Sequence, residues 1–316
     1  MTPEPFRIRD FVITKKGWIF AVASYDNVDA VRGFLRYVPD KKGERTMPDG
    51  ARYRKLGFDE AQALMQSFGC YSRGLCVISF EEIREAKHPY EYVERSADAT
   101  VEQIVEMFES YGVSRRKMGV TGSRLVGLEI ETSDIDFVLY GRSSFARARQ
   151  ALRTAVQSGD MPPIDTSMWR RIYQKRSPEL SFSEFVLHEQ RKWNRGMIGT
   201  TYFDLLFVRD FDEISVEPLG IDDGYAAIRA KVTGAEYAFD SPAIYKIEHE
   251  TVQKVLSYTH TYAGQAFEGE IIEARGLCNK GDMARLIIGT TREARGEWIK
   301  SCTLLSHRDR PHESTF

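Results

Sequence analysis

The segment Asp134-Ile-Asp-Phe-Val-Leu-Tyr140 constrains this chain more than any other. Its apolar run reads as a buried strand, yet two carboxylates stand at its mouth. Side chains alternate along a strand, so Asp134 and Asp136 share one face while Ile135, Phe137 and Leu139 take the other. Two rises place the acids about 7 Å apart at the Cα level, close enough to converge on one cation or cation pair. A third acid, Asp204, interrupts the apolar run Thr201-Tyr-Phe-Asp-Leu-Leu-Phe-Val208. An uncompensated charge inside such a strand costs several kcal/mol. A metal ion removes that cost, and three hard carboxylate ligands suit Mg²⁺ or Mn²⁺, not zinc.

Three segments are expected along the chain. Residues 1–92 read as a β-containing N-terminal domain: Phe11-Val-Ile-Thr and Trp18-Ile-Phe-Ala-Val-Ala flank the turn Lys15-Lys16-Gly17 as a hairpin. Phe58 to Phe68 has helical spacing, and Arg36, Tyr37 and Arg52-Tyr53-Arg54 are either ordinary strand surface or a face for nucleic acid. Residues 93–212 form a second domain. Thr100 with Gln103 reads as a capping box for a helix through Glu109, then come strands at Met118-Gly-Val and Asp134 to Leu139. A helix to about Gln157, a basic helical stretch from Ser167 to Trp193 and the Asp204 strand complete it. Residues 213–316 read as a β-rich region, a small barrel or sandwich, with a helix over Glu248 to Tyr258 and a polar, disordered tail after Leu305. The fold class is therefore α+β.

Ahead of the acids stands Gly122-Ser123, separated from Asp134 by the ten residues 124–133. A glycine before a short helix lets the backbone approach a ligand, and N–H groups there bind phosphate oxygens. Gly-Ser, the spacer, Asp134-Ile-Asp136 and a later strand acid together resemble the polymerase-β-type nucleotidyltransferase superfamily, over about residues 98–210. The Ser-Asp-Ile-Asp form is similar to archaeal CCA-adding enzymes and minimal nucleotidyltransferases. The resemblance implies a central domain of mixed sheet with helices on one side. It further implies two divalent ions, Mg²⁺ or Mn²⁺, on Asp134, Asp136 and Asp204, with an NTP, ATP among the candidates, gripped at Gly122 and Ser123. Arg124 and Arg195 are candidates for its phosphates, with Arg191 and Lys192 nearby; Arg124 alternatively pairs with Glu129 or Glu131. The implied reaction moves an NMP to an acceptor hydroxyl, an RNA or DNA 3′ end, and releases pyrophosphate. A protein or small-molecule acceptor is the alternative, and a non-catalytic nucleotide sensor the third reading.

Composition narrows the field. The net charge is only −2, which excludes a histone-like polycation. Between residues 141 and 203, however, eleven Lys or Arg face five Asp or Glu. That excess suits a polyanion site or, equally, solvated helix faces. No apolar run reaches the roughly 18 residues of a membrane span, so no membrane is expected as a partner, and nothing at the N-terminus reads as a signal peptide. A cytoplasmic protein is expected. The cysteines, Cys70, Cys76, Cys278 and Cys302, lack zinc spacing and read as free thiols.

Overall fold

The structure, a computed structural model, describes residues 5–72, 74–217, 220–281, 283–291 and 294–308. It divides into two compact units, Met1–Pro162 with Asn194–Val216, and Pro163–Trp193 with Glu217–Phe316. The architecture is α+β with several sheets, as the sequence implies.

The first unit begins with an antiparallel sheet of eight strands: β1 Phe11–Thr14, β2 Ile19–Val22, β3 Val31–Pro39, β4 Arg45–Thr46, β5 Arg52–Lys55, β6 Tyr71–Ser72, β7 Leu75–Ile78 and β8 Ile83–Lys87. Helix α1, Phe58–Ser67, packs its Ala61 and Met65 against one face, with Val12, Phe20 and Leu35. The other face carries Phe11, Ile19, Tyr37 and Tyr53 against Leu125, Val126 and Leu128. Tyr37 and Tyr53 are thus core residues, and of the two readings for that segment neither ring is a surface for bases. The β6–β7 hairpin registers Tyr71 with Cys76, which brings Cys70 to it. Cys70 and Cys76 form a disulfide, correcting the expectation of four free thiols, while Cys278 and Cys302 are free.

Helices α2, Pro89–Arg95, and α3, Ala99–Ser110, lead into the central sheet. Asp98, not Thr100, caps α3: its carboxylate accepts from the Thr100 and Val101 amides, because an aspartate one residue ahead of the helix reaches both. Strand β9, Met118–Thr121, runs into the one-turn helix α4, Gly122–Leu125. Strand β10, Ile135–Tyr140, and helix α5, Arg142–Ser158, follow. Strands β11, Arg195–Ile198, and β12, Thr201–Val208, complete a sheet ordered β11-β12-β10-β9, in which β10 and β12 run parallel. Both faces are covered beyond the mouth. Phe137 meets Phe108 of α3 and Phe207 meets Phe145 of α5, whereas Val138, Tyr140, Leu206 and Val208 pack with Ile8. That two-sided cover is why β10 is apolar almost throughout.

In the second unit the stretch read as one basic helix is two, α6 Thr166–Arg176 and α7 Phe182–Gln190. Ser177, in the left-handed conformation, ends α6, and Ser181 opens α7 with a capping box to Glu184. Six strands follow: β13 Ile221–Tyr237, β14 Ala243–Glu248, β15 Lys254–Ser257, β16 Ile271–Lys280, β17 Arg285–Ile288 and β18 Trp298–Ser301. They pair in the order β13-β14-β15-β17-β16, and β16 pairs back to β13, which closes a barrel; β18 adds to β16. The helix expected over Glu248 to Tyr258 is instead the end of β14, a turn and β15. Its Val255 registers with Tyr245 and Leu286, so the barrel interior claims residues whose spacing also suits a helix. Helix α8, Cys302–Arg308, takes up the first part of the expected disordered tail, and the rest lies outside the described residues.

Candidate functional site

The site assembles at the mouth of the central sheet. Asp136 is the second residue of β10, and the parallel register sets it directly beside Asp204 of β12. On its other side Asp136 registers with Thr121, immediately before Gly122. Gly122 has φ +73°, and a Cβ there would stand 2.2 Å from Asp136 Oδ2. Only glycine permits the carboxylate to lie against the Gly-Ser turn. Asp134 sits in the approach to β10, and both it and Asp136 are half-buried.

The turn itself is braced from within. Ser123 Oγ donates weakly to Ser133 Oγ at 3.5 Å, Ser133 Oγ accepts the Ile130 amide, and the Leu128 amide donates to the Ser123 carbonyl. These contacts fold the ten-residue spacer back on itself, so Ser133 brings the start of β10 to the turn. Arg124 pairs with Asp98, the α3 cap, rather than with Glu129 or Glu131.

Arg195 lies on β11 opposite Asp204, and its Nε donates to Asp204 Oδ1 at 2.7 Å. Tyr202 Oη donates to the same oxygen at 2.8 Å. Burial works against the Arg195 charge, but Tyr202 and Asp204 outweigh it and raise its pKa. Among the described residues no three His, Cys, Asp or Glu side chains converge as a metal-holding group. The donor set has the hard oxygens a divalent cation needs. Bringing Asp204 into it requires exchange of the Arg195 contact.

The sequence reading missed two sets of residues. Tyr202 lies two positions before Asp204 on one strand, hence on the same face, and alternation would have found it. Tyr37 and Arg45 come from the N-terminal sheet of the same unit. Burial raises the Tyr37 pKa, Arg36 and Arg45 lower it, and Asp136 raises it, so strand β3 lies within electrostatic reach of the acid. Arg45 donates to the Leu128 carbonyl at 3.1 Å, fastening the spacer to that sheet. No local pattern signals this pairing.

Fold and site define an α+β protein whose central mixed sheet presents carboxylates beside a glycine turn. The chain belongs to one family with the uncharacterised protein MJ1086 of Methanocaldococcus jannaschii, to which it is 36% identical over 340 aligned residues, 93% of this chain and 98% of that one. No family model matches the chain, and no solved structure matches it.

Proposed function

We propose that the first unit is a metal-dependent nucleotidyltransferase that moves an NMP from an NTP to an acceptor hydroxyl, an RNA 3′ end first, releasing pyrophosphate. The observation that carries the reading is the juxtaposition of Asp136 with Asp204 across a parallel strand pair, with Gly122 packed on Asp136. Asp134 and Asp136 would hold the divalent ions, Mg²⁺ or Mn²⁺, joined by Asp204 when Arg195 releases it. Such ions polarise phosphate oxygens and acidify the attacking hydroxyl.

The chain's own groups supply the rest of the chemistry. The amides of the Gly122-Ser123 turn, with the Ser123 hydroxyl, donate to phosphate oxygens. Arg195, on leaving Asp204, meets the negative charge of the triphosphate. Tyr202 keeps Asp204 oriented during that exchange.

The experiment is incubation with each α-³²P-labelled NTP, Mg²⁺ and a pool of RNA and DNA oligonucleotides. Extension of an oligonucleotide, abolished by Asp136→Asn, is expected. Label on a protein or small molecule would reassign the acceptor. Absence of any transfer and of pyrophosphate release would overturn the reading in favour of a nucleotide sensor.

A further inference from the structure

The second unit carries a surface that the transfer reading does not use. Its ring β13-β14-β15-β17-β16, with β15 and β17 parallel and the other pairs antiparallel, is a small five-stranded Greek-key barrel. Barrels of this OB type bind oligonucleotides and oligosaccharides on their outer strand faces. Here the outward residues of β14 and β15, Ile244 and Leu256, are buried. The open face lies elsewhere, on β13, β16 and β18.

Register defines that face. Ala227, Arg275 and Trp298 form one row across the three strands, and Arg229, Glu273 and Lys300 form the next. Tyr225 stands two residues before Ala227 on the same face of β13, opposite Leu277. The Arg275 guanidinium lies 5.7 Å from the Tyr225 ring centroid and 5.6 Å from that of Trp298. Tyr225 is 54% exposed, yet it is held in place. Its hydroxyl donates to Oε1 of Glu297 at 3.1 Å, and the fully buried Glu297 also accepts from the Gly289 and Thr290 amides. A rigid, exposed ring offers stacking area at low entropic cost. The exposed Ala227 leaves a shallow floor between Tyr225 and Arg229.

We infer that Tyr225, Arg275 and Trp298 form a stacking platform for single-stranded nucleic acid, with Arg229 and Lys300 taking the backbone phosphates. Rings alone would serve a base or a sugar. Three cations, Arg229, Arg275 and Lys300, against the single carboxylate Glu273 select the polyanion. Arg229 and Lys300 each bond Glu273 at 3.0 Å, and a phosphate replaces that exposed partner for either of them. The inference stands on the barrel alone, whether or not the first unit transfers nucleotides.

The test uses the full chain and a fluorescein-labelled 12-mer oligouridylate, read by anisotropy at 50 mM and 200 mM salt. Binding that weakens with salt is expected. Tyr225→Ala and Trp298→Ala should each weaken it by about tenfold or more, whereas Trp298→Phe keeps the ring and stays within about threefold. Arg229→Gln with Lys300→Gln should flatten the salt dependence by about one unit of the log–log slope. Melting curves of every variant exclude misfolding, and Trp298→Phe keeps the test decisive if an alanine variant fails to fold. Absence of binding, affinity unchanged in Tyr225→Ala and Trp298→Ala, equal capture of polyglutamate, or preference for a neutral oligosaccharide would each overturn the assignment.

Discussion

Substituting Gly122 by alanine tests the site where its geometry is tightest. Two costs arise. The backbone holds φ +73°, and a left-handed conformation costs a non-glycine residue about 1–2 kcal/mol. The new methyl would also stand 2.2 Å from Asp136 Oδ2, so the carboxylate must retreat by roughly 1 Å to reach ordinary contact. A displacement of that size at reacting groups costs about a hundredfold in rate. Gly127→Ala separates the two effects, because Gly127 has φ +67° but its Cβ would meet only Pro48 Cδ, at 3.1 Å. Both variants should therefore melt lower by about 2–4 °C per kcal/mol, and by similar amounts. Pyrophosphate release with NTP, Mg²⁺ and oligonucleotide should fall about a hundredfold in Gly122→Ala and less than threefold in Gly127→Ala. Equal release from the two variants would refute the argument that Gly122 exists to seat Asp136.

Three further outcomes follow from packing and charge. His188 is fully buried, its Nδ1–H donating to the Glu184 carbonyl and its Nε2 accepting the Ser301 amide, and burial lowers its pKa from 6.5 to about 4. The unfolded chain therefore takes the proton first as pH falls: stability is whole above about 6.5 and declines by about 3 kcal/mol toward pH 4. Urea melts of His188→Gln across that window should lose this one-proton slope, and an unchanged slope contradicts the assignment. Tyr245→Phe strips a buried hydroxyl that donates to the Tyr262 carbonyl and accepts the Gln265 amide. A loss of about 1–3 kcal/mol is expected in urea unfolding, and one below about 0.5 kcal/mol counts against that role. Reducing Cys70–Cys76 should destabilise the first unit by about 2 kcal/mol in calorimetry, an effect absent in the Cys70→Ser, Cys76→Ser double variant.

Much of the central sheet was legible because its signals are local. Alternation along β10, the glycine before α4 and the apolar run around Asp204 each mark a feature within ten residues. The hairpin of β1 and β2 and the helix α1 were readable for the same reason. Partners were not. Arg195 and Arg124 were expected to face phosphate, yet Asp204 and Asp98 hold them, and those pairings depend on strand register and on where α3 begins. The second unit illustrates the point more sharply. Val252, Val255 and Leu256 have helical spacing, but the spacing is equally that of a turn and a short strand, and only the neighbours Tyr245 and Leu286 decide between them. Ring closure between β13 and β16 joins Lys231 to Ile271, a distance no window on the sequence spans.

Charge makes the same separation and changes the functional argument. The basic excess between residues 141 and 203 was read as one feature, but the fold divides it. Arg142, Arg147, Arg149, Arg153 and Arg195 belong to the first unit, and Arg170, Arg171, Lys175, Arg176, Arg191 and Lys192 to the second. Several are committed inside the protein: Arg142 to Glu213, Arg147 to the Gly112 carbonyl, Arg191 to Glu270 and Lys192 to Glu189. A polyanion partner cannot be argued from that count. It has to be argued from groups that remain exposed beside stacking surfaces, as Arg229 and Lys300 do beside Tyr225 and Trp298. The case for transfer chemistry in turn rests on Asp136, Asp204 and Gly122, whose juxtaposition owes nothing to net charge.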